Sequence, residues 1–247
     1  MVSTQNDPRP LTINVAETEK DKIASLRLIA DSIAQQRQTA AKALILHPLW
    51  LATVVLCLAV SYHVLRLHHS DWPAITLTWT GCVMTGLVAV RYLTASYLSQ
   101  AEQTGTWKWL YEGAGHAAGA RIADTRDYIL ITKLGPEVIG VLVLRPVYTS
   151  AGIEPHIRGA RHFVRGQDMY FPVGVIRAWT VQRRYRGEGV GRELLERAVM
   201  VCQAKGWGEP IFSQKHANAA QGVAKWAFAK GDDKARKLLE RIIRGRR

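Results

Sequence analysis

Apolar and polar residues alternate over residues 11–15, Leu-Thr-Ile-Asn-Val, which predicts a short strand. Thr18 followed by Asp21 then marks a helix start, and Ile23, Leu26, Ile29 and Ile33 recur at helical spacing behind it. Two windows break this amphipathic pattern: residues 43–65 and 72–90 contain no Asp, Glu, Lys or Arg. Each approaches the ~20 residues that a helix needs to cross a bilayer core, so the pair reads as a transmembrane hairpin over residues 43–92. Pro48 shortens the first span. Two buried helices of a soluble domain are the alternative, but such helices seldom stay uncharged for so long.

The flanks of the hairpin agree with a membrane. Trp50, Tyr62, Trp72 and Tyr92 stand near the span ends, where amphipathic rings settle at headgroup level. Arg37 and Lys42 precede the first span and Arg91 and Lys108 follow the second, while the connecting turn sets Arg66 against Asp71 and adds two histidines. By the positive-inside rule both ends face the cytosol. Spans this short favour a thin internal membrane such as the endoplasmic reticulum. Residues 1–10 are polar, lack an apolar core and read as a loose tail, not a cleaved signal.

Beyond the hairpin, residues 99–111 predict an amphipathic helix and residues 112–119 a Gly/Ala-rich loop. The period then changes to that of strands. Residues 127–132 and 138–144 flank Lys-Leu-Gly-Pro-Glu and read as a β-hairpin. A long loop over 148–170 precedes an apolar, β-branched strand over 171–181, which runs into a glycine-bearing turn and an amphipathic helix over 192–205. A short strand at 210–213, a helix at 219–230 stopped by Gly231, and a last helix at 234–244 complete the series.

Composition sharpens this outline. The 247 residues include 48% hydrophobic and 21% charged side chains, a globular balance that excludes general disorder. Thirty-three Lys and Arg against 20 Asp and Glu leave a net charge of +13, which points to an anionic partner. Seven basic residues and one acidic residue fall within 234–247 alone, on a helix whose Leu238, Leu239, Ile242 and Ile243 form a stripe. Beside a membrane hairpin, that basic helix is expected on anionic headgroups; no nucleic-acid motif accompanies the charge, which disfavours a nucleic-acid partner. Cys57, Cys82 and Cys202 lack the spacing of a disulfide framework or a metal site and read as structural thiols.

Chemistry concentrates in Trp179-Thr180-Val181-Gln182-Arg183-Arg184-Tyr185-Arg186-Gly187-Glu188-Gly189-Val190-Gly191-Arg192. A strand that feeds such a turn and then a helix aims free backbone N–H groups and the helix dipole at one point, a natural phosphate site. Gly189 and Gly191 let a phosphate approach the main chain, and Arg186 and Arg192 add charge. No Lys-Ser or Lys-Thr follows the glycines, so the turn is not a P-loop; Arg192 falls where a dinucleotide turn requires its third glycine.

What remains is Arg186-x-x-Gly189-x-Gly191, with Tyr185 and Gly187 in register, between an apolar strand and a Leu-Leu helix. This resembles the acyl-CoA-binding motif of the GCN5-related N-acetyltransferase (GNAT) superfamily. The resemblance implies an α/β (α+β) fold: a GNAT-like mixed sheet with flanking helices, interrupted by the transmembrane hairpin. Residues 11–42 would supply its first strand and helix, 93–232 its main part, and 233–247 a basic amphipathic appendage. The arrangement is similar to that of the membrane-bound, camello-like (kidney-type) N-acetyltransferases. It implies acetyl-CoA as cosubstrate, its pantetheine lying along Trp179, Thr180 and Val181 and its pyrophosphate on Arg186, Gly187, Glu188, Gly189, Val190, Gly191 and Arg192, with Asn218 as a further contact. Helix capping explains Asn218 equally well.

The sequence departs from the family pattern in three places. The strand over 171–181 has no acidic residue to act as base, which leaves His216 as a weak candidate, since a loop histidine is more often solvated. Trp226 and Phe228 stand where a proton-donating tyrosine is common. The chain continues into helix instead of a final strand pair. Besides an N-acetyltransferase, two readings therefore stay open: a membrane-anchored scaffold with a degenerate acetyltransferase fold, and a soluble basic protein acting on histones or nucleic acid. The amine acceptor carries no label in the sequence; Arg158, Arg161 and Arg165 against Glu154 and Asp168 in the long loop favour one bearing a carboxylate.

Overall fold

A computed structural model describes residues 11–67, 71–111, 127–148, 172–213, 216–219 and 224–246. The tail at 1–10, two of the hairpin-turn residues, His68 and His69, the loop at 112–119, and Glu154, Arg158, Arg161, Arg165 and Asp168 lie outside the described residues. The chain divides into two compact units, one of Met1–Ile33, Ala101–Ala219 and Gly231–Arg247, the other of Ala34–Gln100 and Ala220–Lys230.

The first unit is built on a five-stranded mixed sheet with spatial order β1 (Leu11–Val15), β2 (Tyr128–Leu134), β3 (Glu137–Tyr148), β4 (Pro172–Val181), β5 (Gly208–Phe212). Three antiparallel pairings are followed by one parallel pairing, β4 to β5. Gly135, at φ +63°, makes the tight turn from β2 to β3. Between β4 and β5 the chain forms α6 (Val190–Ala204), whose Val190, Leu194, Leu195, Ala198, Val199 and Cys202 make one buried stripe. That stripe packs on Leu130, Leu142, Leu144 and Ile176 of the sheet. Burial pushes the Cys202 thiol up to about 12, which makes it an inert packing group. Helix α1 (Glu19–Ile45) begins as its sequence predicts, Thr18 Oγ1 accepting from the Asp21 amide at 3.2 Å. Lys133 Nζ on β2 reaches Asp21 at 2.8 Å and ties the helix to the sheet.

Helix α1 overruns the predicted boundary at residue 42 and ends at Ile45, and the first apolar helix begins only at Pro48, so the proline shortens the 43–65 window from its start, as expected; at a first helical position it forfeits no hydrogen bond. In the second unit, α2 (Pro48–Leu67) and α3 (Trp72–Leu93) form a pair in which Trp50 Cζ2 lies 3.5 Å from a Cβ position on Gly86 and the Tyr62 and Trp79 rings are 6.2 Å apart. Both helices are long and apolar enough to cross a membrane. No residue of α2 is buried, and of α3 only Ile75 and Val90 are. The helical segment predicted at 99–111 is two pieces, α4 (Ser96–Thr104) and α5 (Trp107–Tyr111), broken at Gly105.

The C-terminal region differs most from expectation. Gly231 does not stop a helix; a single α7 (Lys225–Arg244) runs through it. A helical glycine costs only about 1 kcal/mol, and packing at both ends, Phe228 at one and Leu239 and Ile242 at the other, outweighs that cost. The apolar stripe read as a surface-seeking face is part of the sheet core: Leu239 and Ile242 are buried there, with Leu238 and Ile243 against them. Only the charged face of α7 is left for an external partner.

One close contact tests this packing. A Cβ on Gly174 of β4 would meet Cys202 Sγ at 2.5 Å. Gly174→Ala is therefore expected to destabilise the protein by about 1–3 kcal/mol in denaturant titration, and Cys202→Ala in the same chain to restore most of that loss.

Candidate acyl-donor site

Strand β4 pairs with β3 from Pro172 to Val181, but with β5 only at Val173, Val175 and Ile176. At that point Ser213 N donates to Ile176 O (3.0 Å) and Ala217 N to Arg177 O (2.7 Å), and the two strands part. The separation coincides with a bulge. Ile176 faces Leu144 and Ala178 faces Val143, so Arg177 is the extra residue. Among the described residues, no strand covers the outer edge of residues 178–181. The Gln182 amide donates to Ile139 O (2.8 Å) on the β3 side, so by strand alternation Trp179 and Val181 turn their amides and carbonyls to the open edge and Thr180 turns its own to β3.

The turn after β4 opens with a single tight helical turn, Arg183–Tyr185, and reaches α6 through Gly187 (φ +95°) and Gly189 (φ +91°). Both glycines hold a left-handed conformation that a side chain would strain, and a Cβ on either would point into open space. Among the described residues, none of the amides of residues 187–191 donates to a backbone carbonyl; the first that do are Arg192 and Glu193, both to Gly189 O. Five consecutive free N–H groups at the N-terminus of a fifteen-residue helix form an anion cradle.

The charged side chains divide. Arg186 Nε donates to Val181 O at 2.9 Å, which folds the guanidinium back against the end of β4. Partial burial, and then the like charge of Arg183, lower its pKa from the ordinary value. Arg192 instead reaches along the outside of α6 to Glu196 at 2.8 Å, and Glu188 is exposed. Buried Val190 anchors the turn in the core.

His216 and Asn218 lie on the strip that Ala217 ties to β4. Rings of Trp179, Phe212 and His216 follow one another at 5.9 Å spacings, so the histidine belongs to an aromatic row that starts on β4. Burial lowers the His216 pKa, Asp232 opposes that effect and Arg236 adds to it. The imidazole is thus a neutral proton acceptor near pH 7. Asn218 Nδ2 donates to Ser32 Oγ of α1 at 2.7 Å.

One constellation has no counterpart in the sequence reading. Asp127, almost wholly buried, takes Arg145 Nε and Arg177 Nη1 on its two oxygens, the latter at 2.6 Å. The same guanidiniums donate to the last carbonyls of α5: Arg145 Nη2 to Leu110 O (2.7 Å) and Arg177 Nη2 to Trp109 O (2.9 Å). Arg177 also lies over the Trp109 ring at 4.3 Å. The available signal was an arginine in the middle of an otherwise apolar strand. Among the described residues there is no cluster of three or more His, Cys, Asp or Glu able to hold a metal.

The geometry can be set beside known proteins. No curated protein sequence matches the chain. A GCN5-related N-acetyltransferase structure from Ralstonia eutropha is similar over 91% of this chain and 91% of its own, at 10% identity and a TM-score of 0.35. An aminoglycoside acetyltransferase from an uncultured soil metagenomic sample, solved with trehalose, matches over 51% of this chain and 74% of its own, at 13% identity and a TM-score of 0.30. An acetyltransferase structure from Vibrio fischeri matches over 47% of this chain and 88% of its own, at 12% identity and a TM-score of 0.28. The profile of the Acetyltransferase (GNAT) family covers residues 92–228, more than half of the sequence and all of the stretch from β2 through the free-amide turn to β5; the chain belongs to that family.

Proposed function

We propose that this protein is a membrane-anchored N-acetyltransferase that uses acetyl-CoA and acetylates an amine on the cytosolic side of an internal membrane. The observation that carries this reading is the conjunction of two features: the free amides of residues 187–191 and the open edge of β4 that leads into them. The residues fit the cosubstrate. A cradle that a glycine Cβ would occupy, lined by N–H groups and flanked by Arg186, suits a pyrophosphate, and the edge amide and carbonyl of Trp179 with the edge amide of Val181, whose carbonyl Arg186 holds, suit an extended amide-bearing chain.

Acetyl-CoA, when bound, supplies a thioester carbonyl that is activated toward amines. The chain's own contribution is electrostatic and positional. An edge amide of β4 offers a fixed donor to an oxygen that gains negative charge, without reorganisation. His216, kept neutral by burial, takes the proton of the amine. No covalent enzyme intermediate is required, and Trp226 and Phe228, being unable to donate a proton to a thiolate, leave departure of the thiol to another donor.

Anchoring is supported by the faces of α2 and α3. Large apolar side chains such as Leu49, Leu56, Leu77 and Val88 are exposed, Leu77 at 75%. The hydroxyls of Thr53, Ser61, Thr76, Thr78, Thr80 and Thr85 all donate back to carbonyls of their own helices, so none requires water. Trp72 and Tyr92, at opposite ends of α3, are exposed as interfacial aromatics are. The exposed basic face of α7, including Lys230, Lys234, Lys237 and Arg241, suits anionic headgroups at ~1 kcal/mol per charge.

Two tests follow from this reading. The full chain is expected to stay with membranes through an alkaline carbonate wash, to be released by detergent, and then to bind acetyl-CoA in calorimetry, while Gly189→Arg, whose Cβ meets no atom within 4 Å but sits at a positive φ that strains the turn, weakens binding at least about 100-fold in protein whose fold is checked by circular dichroism. A folded wild type that binds no acetyl-CoA would return the chain to the scaffold reading. In the second test, His216→Gln is expected to lower kcat by about 10²-fold or more. Because the folded pKa is depressed, wild-type kcat/KM holds above pH 6.5 and falls on the acid side of it, a limb the variant lacks. An unchanged acid limb in the variant would remove His216 from proton transfer.

A further inference from the structure

The Trp179 side chain joins the two halves of the donor site. Its Nε1–H donates to Gly191 O at 3.1 Å, and a Cβ on Gly191 would lie only 2.9 Å from its ring atom Cζ2. Gly191 bears the last of the free amides in the turn, and Trp179 itself bears an amide and a carbonyl on the open edge of β4. The ring is backed by Phe212 at 5.9 Å and 59°. One indole therefore spans from the strand edge to the first turn of α6, with a hydrogen bond to Gly191 O, ring atoms packed close against Gly191 and a tilted aromatic neighbour in Phe212.

We propose that Trp179 is a positioning residue that fixes the distance and orientation between the anion cradle and the β4 edge, so that a ligand long enough to touch both is held at both together. The inference rests on the donor-site reading above and adds a role for a side chain where that reading uses only main chain. The physical reason is preorganisation. Without the indole, the end of β4 and the turn are still joined by the Arg186 Nε–Val181 O bond and by the packing of Val181 and Val190, but no side chain ties the edge at residue 179 to the first turn of α6, and a bound ligand must order that coupling itself. Misplacement by about 1 Å is enough to cost on the order of 10²-fold in rate. Gly191 belongs to the same device, since a methyl group there displaces the ring.

A simple core role for Trp179 makes a different prediction, because it would change stability and leave the coupling between the two halves untouched. Detergent-solubilised full-length wild type, Trp179→Phe, Trp179→Leu and Gly191→Ala are titrated calorimetrically with acetyl-CoA and, separately, with 3′-phospho-ADP, which carries the pyrophosphate and lacks the pantetheine. Trp179→Leu is expected to weaken acetyl-CoA about 10-fold or more while 3′-phospho-ADP changes less than about 2-fold. Trp179→Phe, which keeps a ring without the N–H, falls between, and Gly191→Ala follows Trp179→Leu in direction. Equal losses for both ligands, or no loss for either, would overturn the proposal. If Trp179→Leu fails to fold by circular dichroism, Trp179→Phe and Gly191→Ala decide it by the same ratio. Wild type that binds neither ligand would instead defeat the donor-site reading.

Discussion

Strand β4 keeps its full pairing with β3 but can follow β5 only as far as Ile176, and the rest of the candidate site depends on that early separation. The bulge at Arg177 changes which residues of β4 face α6. Gly174 and Ile176 do so before it, Trp179 and Val181 after it. It also leaves the last part of the strand with an edge that no described strand covers. A straight β4 paired throughout with β5 would satisfy the same amides within the sheet and offer nothing to a ligand. The Asp127–Arg145–Arg177 network stands at this bulge and binds the end of α5 to it. Two guanidiniums around one buried carboxylate make a poor source of net stability and a strong fixer of geometry, because displacing any member strands a charge.

From this separation follows the division of labour between main chain and side chains. In the proposed donor site, anion binding falls to backbone N–H groups, which cannot rotate away or titrate, while the arginines near them are largely committed: Arg186 to Val181 O and Arg192 to Glu196. Membership of the acetyltransferase family gives this arrangement its chemistry, and the aromatic row from Trp179 through Phe212 to His216 runs beside it on the β5 side.

The sequence discloses this site unevenly, and the reasons are physical. The glycine turn is legible because positive φ and close approach admit few residue types, and the strand-to-helix context is local. The apolar windows are legible because two long helices there run without a charged residue over about twenty positions each. By contrast, the continuity of α7 through Gly231 depends on packing at both ends of the helix, and its stripe looks the same whether it meets lipid or a sheet. The separation of β4 from β5 has no local code, since it rests on hydrogen bonds between residues far apart in sequence. Arg177 is a partial exception, as a charge inside an apolar strand signals a buried partner without naming Asp127.

The most direct measurement of the donor site is amide hydrogen exchange on the detergent-solubilised full chain, with and without saturating acetyl-CoA. Residues 187–191 and the edge amides of Trp179 and Val181 should exchange readily in the free protein and slow together on binding, while Thr180, already paired to β3, changes little. Binding that leaves these amides as exposed as before would place the cosubstrate elsewhere and contradict the assignment.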